Sequence, residues 1–197
     1  MDPVTLTSQN LVIGQMRLAD EDAIVTAWSD PAIRRWTTVP APGTRQQARD
    51  FIANTCEGGW KSDLHYIFGV RTKDSDDLVG CFGVFGISTV GLSESMAYLG
   101  CWTVKEQRGK GYTSEAIREI AKWVFTELKL VRIEGIGEVG NDASMAVALR
   151  AGFHLEGTLR GRMSQDGTRR DAWLVSLLPH DLGLPSAIPY VAPSDVP

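Results

Sequence analysis

The run Gln107-Arg108-Gly109-Lys110-Gly111-Tyr112 sets two glycines among basic residues, between an apolar stretch and a strongly periodic one. Glycine lets the backbone approach a ligand with no side chain in the way. The first N–H groups of a helix have no intrahelical acceptor and sit at the positive end of its dipole, where an anion fits. Together these features predict a seat for a pyrophosphate. The helix expected over residues 113–129 carries Ile117, Ile120, Ala121, Val124, Phe125 and Leu128 as one buried stripe. Three residues after Thr113 stands Ala116, and after Ser114 stands Ile117, so no capping box claims the free N–H groups. The spacing is not that of a Walker loop, and no third glycine completes a dinucleotide fingerprint.

The chain of 197 residues suits one domain, or one domain with a tail, and 43% apolar residues provide a sizeable core. A net charge of −4 disfavours nucleic acid and favours a cationic or amine partner. Met1-Asp2-Pro3-Val4 shows neither a basic nor an apolar signal region, and no apolar run approaches membrane-spanning length. Cys56, Cys81 and Cys101 are odd in number and far apart, as expected of reduced thiols in a cytoplasmic protein. His65, His154 and His180 lack metal-ligand spacing, so no metal is expected.

The elements that must carry the seat alternate. Strands are expected at residues 11–16, 66–71, 78–87, 96–104 and 131–139. Residues 96–104 are apolar on both faces, as a central strand is. A short helix follows Asp20-Glu21-Asp22, and Asp30-Pro31 restarts a second helical turn. Residues 38–43 form a Pro-containing loop. A helix over residues 44–57 is expected to close at Gly58-Gly59, and one over residues 141–151 at Gly152. Residues 153–162 and 171–178 read as a hairpin around Asp166-Gly167. The Pro-rich residues 183–197 read as a flexible tail. The pattern is a single α/β domain with a mixed sheet.

Several residues extend the glycine motif in order: Asn141-x-x-Ser144, Gly152-Phe153, Glu156-Gly157-x-x-Arg160, Gly167, Asp171, and Ser176-Leu177-Leu178 with Asp181. With residues 107–116, this order resembles the RimJ/RimL-like branch of the GNAT N-acetyltransferases. Trp36, Pro40 and Gly100-Cys101-Trp102 fit it too, and the likeness spans residues 6–182. The resemblance implies a mostly antiparallel sheet, splayed at its central strands, with acetyl-CoA in the gap. The pyrophosphate would meet backbone N–H groups of Arg108, Gly109, Lys110, Gly111, Tyr112 and Thr113. Residues 99–104, with Trp102, Thr103 and Val104, would offer backbone groups to pantetheine and an N–H to the thioester oxygen. Asn141 would face the pantetheine arm and Ser144 the sulfur. A homodimer through the C-terminal strands is a family-level expectation.

Acyl transfer from a thioester to an amine needs a neutral amine, a donor for the thioester oxygen, a proton for the leaving thiolate, and close placement of both reactants. Ser144 is the candidate donor to sulfur. In another GNAT branch a tyrosine stands four residues further along this helix; here that position is Ala148. The branch often carries a carboxylate two residues before Gly100, where this chain has Tyr98. Glu134 is therefore the leading candidate base and Glu94 the second, with a water chain as the alternative. Arg160 is expected to pair with Asp171 across the hairpin, with contact to coenzyme or substrate as the alternative, and Cys101 to be a small buried hydrophobe. Trp28, Trp36 and Trp60 serve either the core or an aromatic wall around the substrate. The acceptor expected is a peptide N-terminus or a small amine. An aminoglycoside-like acceptor, succinyl-CoA as donor, and a non-catalytic acyl-CoA sensor stay open, because residues 37–43 and 87–95 carry the choice.

Overall fold

The computed structural model describes residues 1–88, 95–165 and 167–192. Among them, β1 (Leu6–Thr7), β2 (Leu11–Gln15), β3 (Tyr66–Thr72), β4 (Leu78–Ser88), β5 (Met96–Thr103), β6 (Arg132–Glu138), β7 (His154–Gln165) and β8 (Thr168–Leu177) form one sheet. Its order is β1-β2-β3-β4-β5-β6-β8-β7. All neighbours run antiparallel except β5 and β6. The expected mixed sheet with a central β5 is therefore present. The hairpin strands reach further than expected, to Gln165 and back from Thr168, because two bulges let β7 stay paired while it bends. Glu94 and Asp166, and most of residues 87–95, lie outside the described residues.

Helices cover both faces. α1 (Glu21–Ser29), α2 (Pro31–Trp36) and α3 (Arg45–Asp50), followed by a π-helical segment Phe51–Glu57 and α4 (Gly58–Ser62), precede β3. α5 (Tyr112–Thr126) and α6 (Asp142–Ala151) follow β5 and β6. α5 buries Ile117, Ile120, Ala121, Val124 and Phe125 of the expected stripe and also Ala116 and Trp123, whereas Leu128 lies past the end of the helix and is only partly buried. Trp123 is drawn in by an aromatic cluster, its ring centroid 5.8 Å from Trp60, 5.2 Å from Tyr66 and 5.4 Å from Phe68. The helix ends at Thr126, short of residue 129, where Lys129 adopts φ 57°. Trp60 is fully buried and donates Nε1–H to the Ile67 carbonyl at 3.0 Å, so it belongs to the core, not to a substrate wall. Trp28 is likewise buried, edge-on to Phe51, whereas Trp36 is only partly buried. Beyond Gly183 the described residues form no regular element, and Tyr190 stacks on His180 at 5.0 Å.

Gly58-Gly59 does not close a helix. The chain stays helical through both and ends at Asp63, which takes the left-handed conformation. Gly59 is needed for space: a Cβ there would lie 2.4 Å from the His65 ring and 2.7 Å from its carbonyl oxygen. The Trp60 and His65 contacts outweigh the poor helix propensity of the pair.

Three ion pairs fix α1 and α2 against the sheet. Arg71 on β3, 1% exposed, pairs with Asp20, and its Nη1 donates to the carbonyls of Gln15 and Gly69 at 3.3 Å. The same Asp20 carboxylate accepts from Arg17 N–H at 2.6 Å, which sets the entry into α1. Asp30 caps α2 by accepting from Ala32 N–H at 2.8 Å, and it meets Arg108 Nη2 at 2.5 Å. At the other end of α2, Arg35 holds the Glu138 carboxylate with two bonds of 2.9 and 2.7 Å. Gln165 at the hairpin tip accepts from Arg35 Nη1 at 3.2 Å and donates to the Arg35 carbonyl at 2.8 Å. α2 thus bridges from the loop after β5 to the end of β6.

The two glycines of the Gly58-Gly59 pair should respond in opposite ways to an added methyl. Gly58 has helical φ and nothing within 4 Å of where a Cβ would sit, so Gly58→Ala stabilises by about 0.5–1 kcal/mol. Gly59→Ala destabilises by roughly 1–3 kcal/mol, since backbone blocks the methyl; urea midpoints of the two variants should move in opposite directions. The clamp on Glu138 should show itself through pH. The Arg35 hydrogen bonds hold Glu138 below its ordinary carboxylate pKa of 4.5, outweighing burial. A depressed folded pKa contributes stability above the unfolded pKa and loses it as pH falls through the folded one. The urea midpoint of Glu138→Gln therefore lies below wild type at neutral pH. The gap closes as pH drops beneath the carboxylate range, and a gap constant with pH contradicts the assignment.

Candidate active site

The site is built where β5 and β6 part. β5 pairs with β4 along its length, from Ser88↔Met96 to Gly80↔Thr103. It pairs with β6 only at Met96↔Arg132, Ala97↔Ile133 and Tyr98↔Glu134. β6 goes on pairing with β8 as far as Glu138↔Ala172. From Leu99 onward the two central strands diverge into a wedge, and the β5 backbone groups on that side leave the ladder. Backbone N–H and C=O groups require partners, so this edge suits a ligand that supplies its own.

At the open end of the wedge, β5 gives way to a 3-10 turn, Lys105–Gln107, and then to the glycine loop. Gly109 and Gly111 take φ 75° and 83°, left-handed values that glycine alone adopts freely. A methyl on either would meet nothing within 4 Å, so the protein leaves the approach to this backbone open. Gly111 is the N-cap of α5 and gives no side-chain cap; Glu115 N–H bonds back to the Gly111 carbonyl at 3.1 Å. The Ser114 hydroxyl turns back onto the same carbonyl at 2.9 Å, and the Thr103 and Thr113 hydroxyls meet at 2.9 Å. Val104 N–H bonds the Val79 carbonyl at 2.9 Å, and Trp102 packs on the opposite side against the cluster around Trp28. The basic side chains brace the loop: Arg108 Nε donates to the Thr103 carbonyl at 3.0 Å and Lys110 to Gln107 at 2.9 Å. Arg108, Gly109, Lys110, Gly111, Tyr112 and Thr113 thus lie on one continuous turn into α5, in which the Arg108 N–H is bonded to the Lys105 carbonyl at 3.3 Å.

Ser144 and Glu134 are not brought together; they flank the sheet. Ile133 is fully buried with α5, and strand alternation puts Glu134 on the other face. There Arg132 Nε donates to Glu134 at 2.9 Å, Arg132 Nη2 to Glu156 at 3.1 Å, and the Ser176 hydroxyl also bonds Glu156. The Ser176 and Arg132 contacts hold the Glu156 carboxyl below its usual range, against burial. Ser144 lies on the α6 side: its Oγ is 3.7 Å from where a Gly137 Cβ would be, so it overlooks β6 beside the wedge. Asn141 caps α6 by accepting from Ser144 N–H at 3.3 Å.

Other contacts around the site depart from sequence expectation or carry no local signal. The Arg160–Asp171 pair expected across the hairpin does not form; the Asp171 carboxylate accepts from Gly161 N–H at 2.8 Å, satisfying a backbone group at the second bulge. The Arg35–Glu138 and Asp30–Arg108 pairs join residues far apart in sequence, although Asp30-Pro31 marks the cap. Burial tends to raise the Asp30 pKa, but the Ala32 N–H and Arg108 outweigh it and the net shift is downward. Cys101, on the α5 side of β5, is pushed up to about 12 by burial, so its thiol stays protonated at neutral pH. Among the described residues no group of His, Cys, Asp and Glu could hold a metal ion, and no helix is long and apolar enough to cross a membrane.

Comparison with known proteins agrees with this architecture. The N-acetyltransferase p20 of Bacillus licheniformis, itself uncharacterized, is 28% identical over 174 residues, covering 88% of this chain and 96% of p20. RimJ of Mycobacterium smegmatis, solved in complex with CoA-disulfide, superposes with a TM-score of 0.79 at 19% identity, over 92% of this chain and 88% of RimJ. Spermidine N-acetyltransferase of Vibrio cholerae, solved with CoA and spermine, gives 0.74 at 17%, over 89% and 99%. At these identities the two structures show a shared fold. The family described as the acetyltransferase (GNAT) domain matches residues 10–154. With its parted central strands and glycine loop, the chain belongs to the GNAT acetyltransferases, and it is an acyltransferase enzyme.

Proposed function

We propose that the protein binds acetyl-CoA in the wedge and transfers the acetyl group to a primary amine by direct attack in a ternary complex. The observation that carries this reading is the parting of β5 and β6 next to an uncapped α5 and two left-handed glycines. The pyrophosphate takes the N–H groups from Gly109 to Thr113. The freed edge of β5, as far as Thr103, runs alongside pantetheine and gives the thioester oxygen a donor as it gains charge; Val104 stands outside it, because its N–H is bonded to Val79 and its carbonyl accepts from Gln107. Asn141 holds the first turn of α6 so that Ser144 reaches the sulfur and donates a hydrogen bond to it as it leaves, the thiolate then taking its proton from water.

The amine approaches from the other face. There Glu134, whose Oε1 already accepts from Arg132, takes the amine's proton directly or through water. Holding both reactants in one gap supplies much of the rate. A protonated Cys101 is a poor nucleophile, which favours direct transfer over an acyl-enzyme. The acceptor is a peptide N-terminus or a small amine, and the reaction runs in the cytoplasm.

Saturating acetyl-CoA should raise the melting temperature, since about a hundredfold excess over Kd is worth about 2.7 kcal/mol; ATP and NAD should not, and succinyl-CoA in the same titration tests the choice of donor. Joint replacement of Gly109 and Gly111 by valine should abolish the acetyl-CoA shift while circular dichroism still reports a folded chain. A preserved shift refutes the seat. Ser144→Ala should lower kcat by roughly tenfold or more with acetyl-CoA affinity little changed. An unaltered kcat removes Ser144 from the chemistry.

A further inference from the structure

A recess of about 530 Å³ opens on the acceptor face, between α2, the loop that follows it and the tip of β7. Its polar lining is Arg34, Arg35, Thr37, Thr38, Ser164 and Gln165, and none of its described lining residues is acidic. The two arginines differ in what occupies them. Arg35 is held by Glu138 and Gln165, with its guanidinium 4.0 Å from the Trp36 ring centroid. Arg34 is exposed and makes no ion pair or hydrogen bond through its side chain among the described residues. The Thr37 hydroxyl is turned to the Ile33 carbonyl at 2.6 Å, which leaves Thr38 and Ser164 as neighbouring hydroxyl donors. The recess is therefore cationic, although the chain as a whole carries −4.

Its position relative to the wedge is fixed by the α2 bridge. Glu138, which Arg35 grips, stands on the same face of β6 as Glu134 and four residues beyond it. At the rise of a strand, the recess then lies at least about 13 Å from the point where β5 and β6 part. That is the reach of about four residues of extended peptide.

We propose that this recess selects the acceptor: it takes a carboxylate borne by about the fourth residue of a peptide whose N-terminal amine is acetylated, with Arg34 as the specificity-determining residue. This rests on the acetyl-transfer reading above. A guanidinium pairs with a carboxylate through parallel N–H donors, and the hydroxyls of Thr38 and Ser164 complete the donor set. A polyamine finds no carboxylate among the described lining residues and is repelled by Arg34.

The test compares kcat/KM for acetylation of two peptides that differ only in Asp or Asn at the fourth position, with spermidine and a free amino acid alongside. The wild-type protein should prefer the Asp peptide roughly fivefold at low ionic strength, and the preference should shrink as salt is raised. Arg34→Gln should bring the Asp-to-Asn ratio to about one, Arg34→Lys should keep part of it, and Arg34→Glu should invert it. Equal rates for the two wild-type peptides, an undiminished ratio in Arg34→Gln, or a preference for spermidine overturns carboxylate selection and leaves acetyl transfer standing. Preference for the free amino acid over both peptides overturns the peptide as acceptor. Acetyl-CoA binding without turnover of any amine overturns both the selection and the reading beneath it.

Discussion

The sheet depends on one imperfection. β5 and β6 are its only parallel neighbours, and only three residue pairs join them before they separate. A parallel ladder carried further would satisfy the backbone groups of Leu99 to Thr103 and close the sheet. Instead the strands are held apart from outside. β4 keeps β5 through Thr103, and β8 keeps β6 through Glu138. Each central strand is thus fully engaged on its outer side and free on its inner side. The wedge survives because neither strand can move toward the other without breaking an antiparallel ladder. α5 and α6 then carry the glycine loop and Ser144 to the same opening.

α2 makes the wedge a defined distance across. It has only six residues and would not persist alone, since helices this short are marginal in water. Its stability comes from its ends: a proline start with an Asp30 cap, and an Arg35 clamp on Glu138. Exposed ion pairs contribute little on average. Here the relevant property is geometry. Glu138 is 6% exposed and held by both Arg35 nitrogens, so the pair fixes an orientation as well as adding attraction. Asp30 reaches Arg108, whose Nε is bonded to the Thr103 carbonyl. A movement of α2 is therefore felt in the glycine loop before α5 as well as at the end of β6, which share one mechanical link.

The order of elements and the glycine loop were readable because they rest on local rules. The apolar period of α5, the Asn141 and Asp30 caps and the Gly152 stop are written within a few residues of where they act. What was not readable depends on partners distant in sequence. Gly58-Gly59 looks like a helix stop until His65 is seen to occupy the space beside Gly59. Asp171 and Arg160 look like a cross-strand pair until the bulge leaves the Gly161 N–H in need of an acceptor. Arg35 and Glu138 lie 103 residues apart and meet only because α2 is laid across the sheet. The glycine loop carries a local motif in the sequence, whereas the cationic recess carries none. Its residues come from a helix, a loop and a hairpin tip, none of which carries a motif.

The two-sided arrangement of the candidate catalytic groups follows from strand alternation. Gly137 and Ser144 share one face of β6, and Glu134 and Glu138 share the other. The sheet lies between Ser144 and Glu134, and the gap between β5 and β6 joins the two faces; under the acetyl-transfer proposal a thioester would fill that gap. In that arrangement the reacting carbonyl is the meeting point of two half-sites, and no side-chain nucleophile is required. Cys101, the one thiol on the wedge strand, is held protonated by burial, in keeping with a site that positions its reactants and takes no covalent part.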